Sequence, residues 1–245
     1  MALNLKSSIF DADPDAKPRE PVTYEGPAFS VISYEYNKEE NRPERLDGWG
    51  FQVARPDDAG AVQELYGGRS VDLDHKRYTT GVYTDCTSLN VVITDVESDM
   101  KLWNGSTLVH HCTGTHFLSD PPGKGVKGDE CGCPETIRER KTAAKDKWGP
   151  RPDIRVRFQL ADDRELGTGE MKTGSWDLSG ELESYLAAKL ADAEKRDPSG
   201  EIAAELYIKT VEYVSKSGPR KGKTTSYQYP SLRNIRALND AVTED

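Results

Sequence analysis

The chain has 245 residues, 35% of them apolar and 31% charged, with a net charge of −9. That length can bury a core without help from disulfides, and the acidic balance excludes a protein that coats duplex DNA over its whole surface, because such a surface needs many Lys and Arg to release counterions. No run of about 18 apolar residues is present to span a bilayer. The start "MALNLKSSIFDADPDAKPREP" turns acidic where a signal peptide would stay apolar, so the chain reads as an intracellular protein whose four cysteines are thiols or metal ligands.

Residues 1–26 carry three prolines and few large apolar groups and read as an extended arm. "AFSVISYEY" alternates as a first strand, and "DAGAVQELYGG" reads as one short helix, with Asp57 or Asp58 near its start and Gly67-Gly68 past its end. Two β-branched runs, "LNVVITDV" and "STLVHH", are separated by "ESDMKLWNG", whose Asn104-Gly105 pair favours a hairpin turn. "CPETIRERKTAAKDKWGP" reads as a helix with Pro134 at its first position and Gly149-Pro150 as a stop. "DIRVRFQL" is the clearest strand: Ile154, Val156, Phe158 and Leu160 share one face, Arg155, Arg157 and Gln159 the other.

A turn "ADDRELGTG" and a strand through Met171 lead to a helix with Leu178, Leu182, Leu186 and Leu190 at helical spacing, ended by Pro198. "EIAAELYIKTVEYV" and "TTSYQYPSL" form a hairpin around the basic tip "KSGPRKGKTT", and "LRNIRALNDAV" reads as a short closing helix. The expected class is therefore α+β: mainly antiparallel sheet with packed helices. The expected organisation is one domain over 27–240, with a division near residue 150 left open, a metal-loop insertion at about 110–134, and a charged tail at 241–245.

Three of the four cysteines and three of the four histidines fall in "HHCTGTHFLSDPPGKGVKGDECGCPET". Zinc is commonly held by two close ligand pairs on loops. Cys112 with His116 and Cys131 with Cys133 supply two, with glycines between them for tight turning, and His110 and His111 stand as rival ligands. The expected ion is structural. Free thiols, a catalytic zinc, which would need an open coordination position, and a strained Cys131–Cys133 disulfide are the competing readings. Cys86 reads as an apolar filler, Trp176 as core packing where strand meets helix, and His75 in "DLDHKRY" as a surface histidine. "GKGVKGDE" lacks the Gly-Lys-Ser/Thr ending of a phosphate loop.

"CGCPET" after a Cys/His loop, "GTGEMKTGSWDLSGEL" with Thr173-Gly174-Ser175-Trp176 where the helix begins, and a late "YQYPSL" occur in that order. In this order and spacing, over about residues 25–235, the chain resembles the actinophage recombination directionality factors of the Streptomyces temperate-phage type. The resemblance implies a protein without catalysis of its own, in the cytoplasm of the bacterial host. It would bind a phage large serine integrase, activate attL by attR excision and inhibit attP by attB integration by biasing the integrase coiled coil, touching att-site DNA only through the integrase. Candidate partner anchors are Arg220, Lys221 and Lys223 at the basic tip, with Tyr227 and Tyr229 nearby. A DNA-binding accessory of the excisionase type and a metal-dependent hydrolase are the alternatives.

Overall fold

The computed structural model describes residues 26–240 apart from 38, 121–124, 147–148, 198 and 217. The expected arm, save Gly26, and the expected tail lie outside the described residues. The elements run β1 (Phe29–Asn37), β2 (Arg42–Val53), α1 (Pro56–Tyr66), β3 (Arg69–Asp72), β4 (Thr80–Tyr83), β5 (Ser88–Asn104), β6 (Thr107–Cys112), α2 (Ile137–Lys145), β7 (Arg151–Leu160) and β8 (Thr168–Thr173). Helix α3 (Trp176–Glu181) continues through a π-helical turn (Leu182–Leu186) into α4 (Ala187–Arg196), followed by β9 (Ile202–Val214) and β10 (Thr224–Ala237).

The class is α+β. One ten-stranded sheet has the order β10-β9-β5-β7-β8-β1-β2-β4-β3, with β6 paired to the far end of β5. Only the β1–β8 pair is parallel among these neighbours. The sheet joins strands from both sides of residue 150, because β7 lies between β5 and β8.

The alternation in β7 decides which face is buried: Ile154, Val156, Phe158 and Leu160 are fully enclosed, while Arg157 on the other face reaches Asp95 and Glu97 of β5 at 2.6 and 2.9 Å. Leu178, Leu182, Leu186 and Leu190 bury one stripe of the α3–α4 helix in the same core. Ser175 caps that helix by accepting from the Leu178 amide at 3.2 Å, which satisfies one of the free N–H groups of its first turn. On the other side of the core Val62 of α1 is buried and Tyr66 stacks on Phe51 at 5.4 Å.

Several local expectations change. "ESDMKLWNG" does not interrupt the strand: β5 runs unbroken to Asn104 before Gly105, at φ +60, turns the hairpin. Pro134 stands ahead of α2, whose cap is Thr136, which accepts from the Glu139 amide and donates to the Glu139 carboxylate. "LRNIRALNDAV" is not a helix: β10 continues to Ala237. Cross-strand burial of Leu232 and Ala237 and the pairing of Arg233 with Glu205 outweigh helix propensity there. The β2–β4 region had no strand signal of its own and is ordered by pairing with β1.

Glu181, at the end of α3, binds the helix to the terminal hairpin. Its carboxylate accepts from Lys209 Nζ at 2.6 Å, from the Tyr229 hydroxyl at 2.9 Å and from the Ser231 hydroxyl. Burial by itself would raise the Glu181 carboxyl, but these three donors outweigh it and hold the group below the usual carboxylate range. A carboxyl depressed on folding stabilises the protein above its unfolded pKa of about 4.3 and loses that contribution as pH falls through the folded value. Glu181→Gln is therefore expected to lose about 1–3 kcal/mol at neutral pH, with the gap to wild type closing below about pH 4. Urea unfolding across that range checks it; a gap independent of pH would be the contrary result.

Candidate metal centre

The alternation of β6 sorts its ligands. Successive side chains on a strand face opposite ways, so His110 and Cys112 share a side, while His111 turns to the other, where Nε2 lies 2.9 Å from Asp99 Oδ2 and Nδ1 3.2 Å from Ser119 Oγ. After Cys112 the chain reverses through Gly114, at φ +99, whose amide donates to Cys112 Sγ at 3.3 Å. A short ladder then aligns the two arms of the loop: Cys112 bridges Phe117, His116 bridges Glu130, and the Cys131 amide donates to the Thr115 carbonyl at 2.8 Å. Gly132, at φ +68, bends the chain between Cys131 and Cys133 so that both return to β6.

The result is a set of four donor atoms, from His110, Cys112, Cys131 and Cys133, all within 4.8 Å of one another. Cys112 Sγ is 3.7 Å from Cys133 Sγ, which is 3.4 Å from His110 Nε2. A tetrahedron of thiolates about 2.3 Å from zinc has edges of about 3.8 Å, slightly less toward an imidazole nitrogen. The donor set fits a tetrahedral ion. Three of the four residues expected as ligands, Cys112, Cys131 and Cys133, are brought together, and the fourth donor atom of the cluster comes from His110. His116 takes no place in the cluster: it is exposed, with Nδ1 3.0 Å from Thr115 Oγ1. The strand period through "STLVHHC" carried the signal for His110, whereas the loop spacing suggested His116.

The contact with Cys133 and burial push the Cys112 thiol up, and burial raises Cys131. Cys133, receiving the hydrogen bond from Cys112 and lying beside His110, is pulled down to about 6. Without added positive charge the trio favours a single thiolate; a bound dication reverses this by deprotonating its thiol ligands.

Arg140 of α2 supports the cluster from behind. It is buried, and its guanidinium donates to the Pro134 carbonyl at 2.7 Å, the Gly114 carbonyl at 3.1 Å and Glu183 Oε1 at 3.2 Å. One side chain thus ties both arms of the loop to the π turn. A Cβ on Gly114 would stand 2.8 Å from Arg140 Nη1, so the close approach requires glycine. Phe117 lies 4.9 Å from the His110 ring, and Met100 and half-buried Trp176 complete a small apolar cover. Sequence reasoning missed Arg140 and Glu181, since neither sits in a recognisable motif.

Elsewhere, Cys86 packs half-buried on the main core and donates to the Ser88 carbonyl at 2.8 Å. Exposed His75 accepts from the Arg77 and Tyr78 amides. Arg220, Lys221 and Lys223 are exposed at the β9–β10 tip and Tyr227 is 36% exposed. Tyr229, expected as an anchor, is buried with its hydroxyl donating to Glu181; burial, with that hydrogen bond, raises its pKa to about 12.

Ligand identity is testable by metal retention. Metal binding at this centre displaces thiol protons, so retention should weaken as pH falls. His110→Ala is expected to lose at least tenfold in affinity for cobalt, read from the thiolate-to-metal absorption, while His116→Ala keeps it. The reverse pattern would return the fourth ligand to the loop.

Residues 31–232 match the family model described as "Gp3-like: Recombination directionality factor-like". No solved structure matches the chain. The match covers most of the chain and encloses the whole Cys/His centre, and the chain belongs to that family.

Proposed function

We propose that this member of the recombination directionality factor-like family binds a phage large serine integrase and reverses its preference, promoting attL by attR excision and inhibiting attP by attB integration. The observation that carries the reading is the family match over residues 31–232. The protein makes or breaks no covalent bond in this reading. It acts in the cytoplasm of the bacterial host and reaches att-site DNA only through the integrase. The net charge of −9 supports that indirect contact. No helix among the described residues is long and apolar enough to cross a membrane.

The work is a shift between conformations of the integrase coiled coil. A partner shifts such an equilibrium only by its difference in affinity for the two states, and reversing a 1:99 preference takes about 5.5 kcal/mol. A surface that must be ordered at each encounter would lose part of that difference. In this proposal the ion is zinc, and its role is structural: His110, Cys112, Cys131 and Cys133 fill its four positions and leave none for a substrate water. The exposed basic tip, Arg220, Lys221 and Lys223 with Tyr227 beside it, is the proposed contact.

The purified protein, mixed with its cognate integrase and supercoiled substrates, is expected to switch recombination on for attL with attR and off for attP with attB. No change in either direction would overturn the reading. Salt-dependent binding of the isolated protein to att-site DNA would favour the DNA-binding alternative instead.

A further inference from the structure

A cleft of about 790 Å³ lies between Ile32–Tyr34 of β1 and Tyr227–Pro230 of β10, floored by the segment following β8 and rimmed by Lys141 of α2. Two polar atoms of its lining residues are buried without a hydrogen-bond partner among the described residues: the indole Nε1 of Trp49, which is fully enclosed, and Oε1 of Gln228. Gln228 is otherwise engaged, its Nε2 donating to Thr210 at 3.1 Å. Buried polar groups are nearly always satisfied, so each such atom calls for an explanation.

The unmatched pair is one donor and one acceptor, the complement of the C=O and N–H of a peptide unit. The surroundings suit a peptide. Among the described residues β10 is an edge strand, paired only with β9, and free edges take up extended segments by strand addition. The lining is aromatic: Tyr34 and Tyr227 are 38% and 36% exposed, Tyr213 lies 5.9 Å from the Tyr227 ring, and tyrosines concentrate where interfaces gain their affinity. In this lining Lys141 and Lys172, with side chains 44% and 53% exposed, stand with the single carboxylate of Asp177, which pairs with Lys141 at 3.9 Å, while Lys172 pairs with Asp153, outside the lining, at 3.5 Å. The balance is positive on a chain that is acidic as a whole.

We infer that the cleft is a docking site for an extended acidic segment of the recombinase, an inference that rests on the proposed binding of that partner. A backbone carbonyl of the segment accepts from Trp49, a backbone amide donates to Gln228, and its carboxylates meet Lys141 and Lys172. Tyr34 reaches across the cleft to donate to the Gln228 carbonyl at 3.0 Å. Both unmatched atoms are closed to solvent in this state, so docking includes release of that exposed bond.

The test uses full-length protein, the cognate integrase and short overlapping peptides tiled across the integrase sequence. K141E/K172E is expected to weaken integrase binding at least tenfold, with metal content unchanged. In ¹⁵N-labelled wild type, an acidic integrase peptide should move the indole N–H resonance of Trp49, assigned with Trp49→Phe, while a scrambled peptide of equal charge should not. Integrase binding that ignores the double variant, with an unmoved Trp49 signal, would remove the cleft and leave the functional reading standing. Failure of wild type to bind integrase at all would remove both. Equal shifts from the scrambled peptide would reduce the site to adventitious charge attraction and overturn it. Should K141E/K172E fail to fold, the wild-type resonance still decides.

Discussion

One strand constrains most of this molecule. β5 runs for 17 residues and pairs with β9 through its first part, with β7 along most of its length and with β6 at its far end. Its first half, Leu89, Val91 and Ile93, is core; its second half carries Met100 under the Cys/His cluster. A strand this long is stable only because three neighbours satisfy its backbone along its length. The consequence is positional: the Cys/His loop is an extension of the central sheet and inherits its direction from it, although the loop contributes little apolar area of its own.

What was legible in the sequence follows from how local each signal is. The strand "DIRVRFQL" and the leucine stripe of the α3–α4 helix declare their buried faces through period alone, and both occur as read. The Cys/His cluster was legible in composition and in three of its four donors. The fourth donor depended on whether strand period or loop spacing wins, and the β5–β6 hairpin fixed His110 by holding "STLVHHC" in strand geometry. Tertiary pairing hid the rest. The residues after Leu232 have helical composition, yet β9 offers unpaired backbone and Glu205 a partner for Arg233 and Asn234, and the strand prevails. Tyr229 looked like an exposed aromatic beside a basic tip; only the fold puts a buried carboxylate within reach of its hydroxyl.

The same long-range logic explains why Arg140 and Glu181 are invisible to pattern reading. Each satisfies groups from segments far apart in sequence: Arg140 joins Gly114, Pro134 and Glu183, and Glu181 joins Lys209, Tyr229 and Ser231. Buried charged groups with several partners are costly to leave half-satisfied, so their value lies in fixing one arrangement of the elements they touch.

These two hubs meet on one helix. Glu181 and Glu183 are two residues apart, which places them on different sides of the helix at the start of the π turn. One faces the β9–β10 hairpin and the other faces Arg140 and the metal loop, while Trp176 of the same helix covers the cluster. The helix is thereby held at both flanks, and the hairpin bearing the basic tip is fixed relative to the four donors without touching them. Here α3 and the π turn link the two: Arg140 holds the Pro134 and Gly114 carbonyls of the Cys/His loop and Glu183 of the helix on which the hairpin rests.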